Sequence, residues 1–112
     1  MVRRPSPAVF RSRELDEYLR GLNPDSPIHL WVEDMEAVLK ENMFAGESIP
    51  KRQIPAFYID RYGVNNLYRY SHPEGYRSCY TLVNVQGLGV CPLILDIRTH
   101  GEYERIFGYR GR

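Results

Sequence analysis

The sequence predicts an α+β domain: an N-terminal helical hairpin packed on a mainly antiparallel sheet of three to four strands, in the element order βααβββ. Apolar residues recur at helical spacing between Ser12 and Met43, alternating and apolar runs dominate after Asn66, and a short loop at Asn23-Pro24-Asp25 joins the two helical segments. Two amphipathic helices joined so closely become antiparallel neighbours, and their common stripe then needs a flat apolar partner such as a sheet.

Ala8-Val9-Phe10, after the rigid Pro5-Ser6-Pro7, supplies a short edge strand. Residues 12 to 22 read as the first helix: Leu15, Tyr18, Leu19 and Leu22 share one face, Ser12 is the N-cap, and Gly21-Leu22-Asn23-Pro24 ends it. The second helix begins at Asp25-Ser26-Pro27, a capping side chain followed by a proline suited to the first turn. Ile28, Trp31, Met35, Val38, Leu39 and Met43 form its stripe, Glu36 and Lys40 an i,i+4 pair, and Gly46 closes the segment. Residues 47 to 65, with Pro50, Pro55 and Gly63, read as a connection anchored by Phe57, Tyr58 and Ile59.

Three strands are expected at 67 to 71, 76 to 85 and 90 to 99, the last two joined by the glycine-rich loop Gln86-Gly87-Leu88-Gly89. Placing Val85 opposite Val90 sets Tyr80 against Leu95 and Leu82 against Leu93 on an apolar face for the helices. Cys79 then faces Asp96, and Arg77 faces Arg98, on the other side, with His100 at the strand end. A slip of one residue would mix the two sets, so burial specifies this register.

With 112 residues, 43% hydrophobic and 26% charged, the chain fits one globular domain spanning 1 to 112. No apolar run approaches the roughly 20 residues that cross a bilayer, and the first residues lack the apolar core of a secretory signal, so the expectation is a cytoplasmic protein with no membrane association. Cys79 and Cys91 belong to no CxxC and have no histidine at ligand spacing. The register separates them by about 17 Å, which predicts two buried free thiols. Neither a metal nor a cofactor is expected.

The net charge of +1 hides a split. Residues 1 to 50 carry six Lys/Arg against nine Asp/Glu, and residues 51 to 112 carry nine against five, so the halves balance at −3 and +4. The basic half also holds every tyrosine except Tyr18, ending at Tyr109. Cations among aromatic rings suit RNA, whose phosphates attract arginine and whose unstacked bases stack on rings, although strands also favour tyrosine for packing alone.

Two arginines across a ladder repel unless an anion lies between them. Arg77, Asp96 and Arg98 fit first a structural Arg–Asp–Arg cluster that supports the sheet; the functional alternative is a phosphate clamp built from two guanidinium forks. His100 is the side chain there able to exchange a proton near neutral pH, whereas His72 sits in the turn His72-Pro73-Glu74-Gly75 and His29 carries no functional hint. RNA cleavage without a metal needs a base for the 2′-hydroxyl, cations for the phosphate and an acid for the leaving 5′-oxygen. Arg77, Arg98, His100 and Tyr103 are the catalytic candidates.

Asn66-Leu67-Tyr68-Arg69-Tyr70 leading into Gly75-Tyr76-Arg77-Ser78-Cys79-Tyr80, and then Ile94-Leu95-Asp96-Ile97-Arg98-Thr99-His100-Gly101-Glu102-Tyr103, resembles the RelE/ParE toxin superfamily. The resemblance is most specific from residue 66 to 109. It implies a toxin of a type II toxin–antitoxin pair, and in the RelE branch a metal-independent endoribonuclease that cuts messenger RNA on the ribosome. Arg77 then matches the arginine that contacts the scissile phosphate and Tyr103 the late tyrosine that stacks on or activates the substrate. Arg69 falls where the preceding strand supplies a cation, with Tyr68, Tyr70 and His72 beside it as RNA-binding candidates. Implied partners are a cognate antitoxin, messenger RNA and the ribosome, and a homodimer is an open assembly. The same scaffold also implies an alternative: a non-catalytic protein that binds gyrase, an antitoxin-like chain or RNA without cutting it.

Overall fold

A computed structural model describes residues 3–108; Tyr109, the last tyrosine of the basic half, lies outside the described residues. The chain is α+β: β1 (Phe10–Arg11), α1 (Arg13–Gly21), α2 (Ile28–Glu41), β2 (Glu47–Ser48), α3 (Ala56–Tyr62), β3 (Tyr68–Ser71), β4 (Arg77–Val85), β5 (Gly89–Arg98) and α4 (His100–Phe107). Single 3-10 turns occupy Lys51–Gln53 and Pro73–Gly75. The strands form one mixed sheet in the order β1-β5-β4-β3-β2, with β1 parallel to β5 and the other neighbours antiparallel. Five strands and four helices among the described residues thus replace the expected three to four strands and two helices.

Ser12 starts α1 as expected: its Oγ accepts the Leu15 N–H at 3.0 Å and donates to the Leu95 carbonyl at 2.7 Å. On α2 the buried positions are Ile28, Val32, Met35 and Leu39, while Val38 is exposed. The stripe is therefore rotated toward Val32. Glu36 is drawn inward by Arg11, whose Nε donates at 2.7 Å, and does not pair with Lys40.

The sheet register holds only near the site. Arg77 faces Arg98 and Cys79 faces Asp96, but Tyr80 faces Ile94 because a bulge leaves Leu95 unpaired. An extra residue on one strand reverses the phase of its side chains. Ile94 and Ile97 therefore join Tyr80, Leu15, Leu19, Val32 and Met35 in the core beneath α1 and α2. Leu95 turns to the opposite layer, and Cys91 faces Val83, not Asn84. Both cysteines are buried free thiols.

That opposite layer is the main departure from expectation. It is no open basic face: Tyr58 of α3 and Tyr103 of α4 bury Leu67, Cys79 and Leu95 beneath them. Pro55 precedes the first turn of α3, and Gly63, at φ 66°, ends it in a left-handed conformation that suits glycine. α4 opens with a capping box in which Thr99 Oγ1 accepts the Glu102 N–H at 3.2 Å and Glu102 accepts the Thr99 N–H at 3.0 Å. Helices thus lie on both faces of the sheet. No helix among the described residues is long and apolar enough to cross a membrane.

Candidate functional site

Where β3, β4 and the first turns of α4 meet, a cavity of about 320 Å³ opens between Glu47, Arg69, Ser71, Arg77, His100, Tyr103 and Glu104. Alternation along the strands explains its composition: Arg69 and Ser71 point to the α3/α4 side of β3, and Arg77 leaves β4 on that side too. The helix α4 follows β5 directly, so His100, Tyr103 and Glu104 fall at helical spacing above the same point.

The charged groups have defined partners. Arg69 donates from Nε to Glu47 at 2.8 Å and from Nη1 to the Tyr103 hydroxyl at 2.8 Å. Glu47 lies directly across the β2–β3 ladder from Arg69, which fixes the first contact. His100 Nε2 lies 2.9 Å from Glu104, one helical turn on. Arg77 is held more loosely, with its guanidinium 5.8 Å from the centre of the Tyr103 ring and a 3.5 Å contact to the Gly75 carbonyl. The Tyr103 ring is buried and stacks on Phe107 at 4.3 Å.

The turn before Arg77 is tightly shaped. Glu74 and Gly75 take φ of 60° and 78°, and the His72 N–H closes the turn on the Tyr76 carbonyl at 2.8 Å. A side chain added at Gly75 would lie 3.5 Å from the Cβ of His100, so the turn packs against the residue that begins α4.

Of the expected catalytic set, Arg77, His100 and Tyr103 converge on this cavity and Arg98 does not. Though opposite Arg77 in the ladder, Arg98 turns away, donating from Nε to Asp96 at 2.8 Å with its guanidinium 5.1 Å from the Phe57 ring centre. Asp96 also accepts from the Tyr58 hydroxyl at 2.8 Å and the Cys79 N–H at 3.2 Å. Burial pushes the Asp96 carboxyl above its ordinary range, outweighing the three donors that pull it down. Arg98 instead lines a second cavity of about 550 Å³ with Glu14, Arg61, Tyr62 and Glu102. The clamp of two arginines is therefore replaced by one arginine in the site and one in a buried cluster.

The RNA-binding set divides in the same way. Arg69 enters the cavity, but Tyr68, Tyr70 and His72 lie on the other side of the strand, as alternation requires. Tyr68 stacks on Tyr80 with ring centres 5.1 Å apart, and Tyr70 packs into the α1/α2 core. His72 is buried, its Nε2 lies 2.7 Å from Ser78 Oγ, and burial lowers its pKa to about 4. These three lie away from the cavity.

Glu47 and Glu104 were absent from the candidates taken from the sequence. Glu104 was legible, since it stands four residues after His100 once α4 is recognised; Glu47 needed the β2–β3 pairing. Among the described residues no group of three or more His, Cys, Asp and Glu side chains is placed to share a metal ion. Comparison of the chain with protein-family models, with curated proteins and with solved structures finds no match.

Proposed function

We propose that the chain is a toxin of the RelE/ParE type that cuts messenger RNA on the ribosome without a metal and is neutralised by a small antitoxin protein. The observation that carries this reading is the meeting of Arg77, His100 and Tyr103, with Arg69 behind them, around one open cavity. The order of short strand, helical hairpin and three-stranded meander supports it, with β2, α3 and α4 as additions.

In this reading Arg77 presents its guanidinium fork to the non-bridging oxygens of the scissile phosphate, where negative charge develops in the transition state. His100, in its neutral form, takes the proton of the 2′-hydroxyl as that oxygen attacks phosphorus. Glu104 then holds the imidazolium that forms. Tyr103 stands beside the leaving group.

Expression of the wild type beside Arg77→Ala tests the proposal. Growth arrest with codon-biased cuts in messenger RNA is expected for the wild type, with cleavage falling by about two to three orders of magnitude in the variant. Intact messenger RNA in arrested cells would sink it. Glu47 and Glu104 offset the two guanidinium charges in the cavity, which favours a second reading, a scaffold that binds a protein partner without cleavage. Blocked supercoiling by gyrase with intact messenger RNA would select that one.

A further inference from the structure

Arg69 contacts Tyr103 directly. It leaves β3 beside the cavity, yet two of its nitrogens are already committed: Nε to Glu47 at 2.8 Å and Nη1 to the Tyr103 hydroxyl at 2.8 Å. These contacts pin the guanidinium between the edge strand β2 and the helix α4. Arginine has no acceptor, so in this contact the phenol oxygen must accept, and its hydrogen is directed to some other group.

From this geometry we propose that Arg69 is a positioning residue that orients the Tyr103 hydroxyl and makes Tyr103 the proton donor to the leaving 5′-oxygen; the inference rests on the ribonuclease reading for the reaction, though not for the Arg69–Tyr103 coupling. The step balances. The 2′-oxygen bonds to phosphorus as His100 takes its proton, the bond from phosphorus to the 5′-oxygen breaks, and the Tyr103 proton moves to that oxygen. A 2′,3′-cyclic phosphate and a 5′-hydroxyl remain, with a tyrosinate facing the Arg69 guanidinium, and water returns both protonation states.

Charge placement agrees with this role. Among the described residues, Arg69 from β3 and Arg77 from β4 are cations facing Tyr103, while Glu47 from β2 and Glu104 from α4 are carboxylates near it, with His100 beside them. In the buried layer below, Tyr58 and Cys79 are held neutral because burial pushes both pKa values up. A cation in direct contact with the phenol oxygen favours its ionised form over the neutral one.

The test uses protein labelled with 13C at tyrosine Cζ, the Tyr103 signal being the one lost in Tyr103→Phe. Arg69→Gln is expected to raise the Tyr103 titration midpoint, an acid constant lower by about tenfold, and Arg69→Lys to restore part of the shift. With messenger RNA bound on ribosomes, Arg69→Gln should slow single-turnover cleavage and move the alkaline limb of its pH profile, while affinity for single-stranded RNA and its salt dependence stay unchanged. A residue contacting phosphate would instead reduce the salt slope by about 0.7. An unmoved Tyr103 titration in both variants, or a reduced salt slope in Arg69→Gln, overturns the proposal. Should wild-type protein not cut messenger RNA on ribosomes while Tyr103 still responds to Arg69, the ribonuclease reading and the proton-donor step fall together and the coupling stands.

Discussion

Replacing Arg98 by alanine should destabilise the fold, whereas the same change at Arg77, its neighbour across the ladder, should not. Arg98 donates to a carboxylate that is 8% exposed, so its removal leaves Asp96 with the Tyr58 hydroxyl and the Cys79 N–H but no countercharge. Breaking a fully buried pair costs about 3–5 kcal/mol, and a hydrogen bond to a charged group is worth about 1.5–3 kcal/mol. With the Arg98 side chain 27% exposed, the lower range applies, and we expect a loss of about 2–3 kcal/mol at neutral pH. Arg77→Ala removes one long contact and a cation over a ring, a loss of about 1 kcal/mol or less.

The loss at Arg98 carries a pH signature. Burial already raises the folded-state pKa of Asp96 above the unfolded 3.8, so the folded state binds its proton more tightly, and stability falls as pH rises between the two values. Removing Arg98 removes the group that most opposes this rise and moves the upper limit higher. The difference between wild type and Arg98→Ala should therefore be small at pH 3, grow through the Asp96 titration and level off above it. Urea unfolding at a series of pH values measures it. A difference independent of pH, or below 0.5 kcal/mol throughout, would refute the assignment of Arg98 to a buried cluster.

Gly46→Ala should destabilise by about 1–3 kcal/mol in urea unfolding, because the added Cβ would meet the Arg69 carbonyl at 2.5 Å and the Tyr80 ring at 2.7 Å. Proton NMR should find the His72 ring neutral down to about pH 4, since burial lowers its pKa. His72 therefore contributes stability in full above its unfolded value of 6.5, and that contribution is lost as pH falls toward 4. The Glu14 carboxyl, held by Arg61 and the Tyr62 hydroxyl, should titrate near 2 in 13C NMR and return toward 4.5 in Arg61→Gln. Its stabilising effect is present above 4.5 and lost as pH falls through 2.

What the sequence disclosed, and what it withheld, follows from the range of the interactions concerned. Ser12 as a helix cap, the alternation that aims Arg77 and Cys79 to one side, and the pairing of Arg77 with Arg98 are local or burial-driven, and all are legible. The bulge at Leu95 is different. Its unpaired carbonyl is stabilised by Ser12, 83 residues away, and no local pattern announces such a partner. That one residue decides which face Leu95 occupies, and with it whether the Asp96 side of the sheet stays wet or becomes a second core.

The two helices that build this second core stood behind punctuation read as loops. Pro55 marks the start of α3 and Gly63 its end, the two positions where those residues favour a helix boundary. Thr99 and Glu102 spell a capping box, but the apolar run before them reads as a strand that continues to Thr99. Recognising α4 changes the site. On a strand end His100 and Tyr103 would project with no fixed relation, whereas on a helix they lie three residues apart on one face, with Glu104 one turn above His100. The chain thus separates its arginines by covering the sheet: Arg98, beneath α3, neutralises a buried acid, while Arg77, at the rim under α4, keeps its guanidinium loosely held. In the proposed function, a substrate anion would meet the charge that the core has not already used.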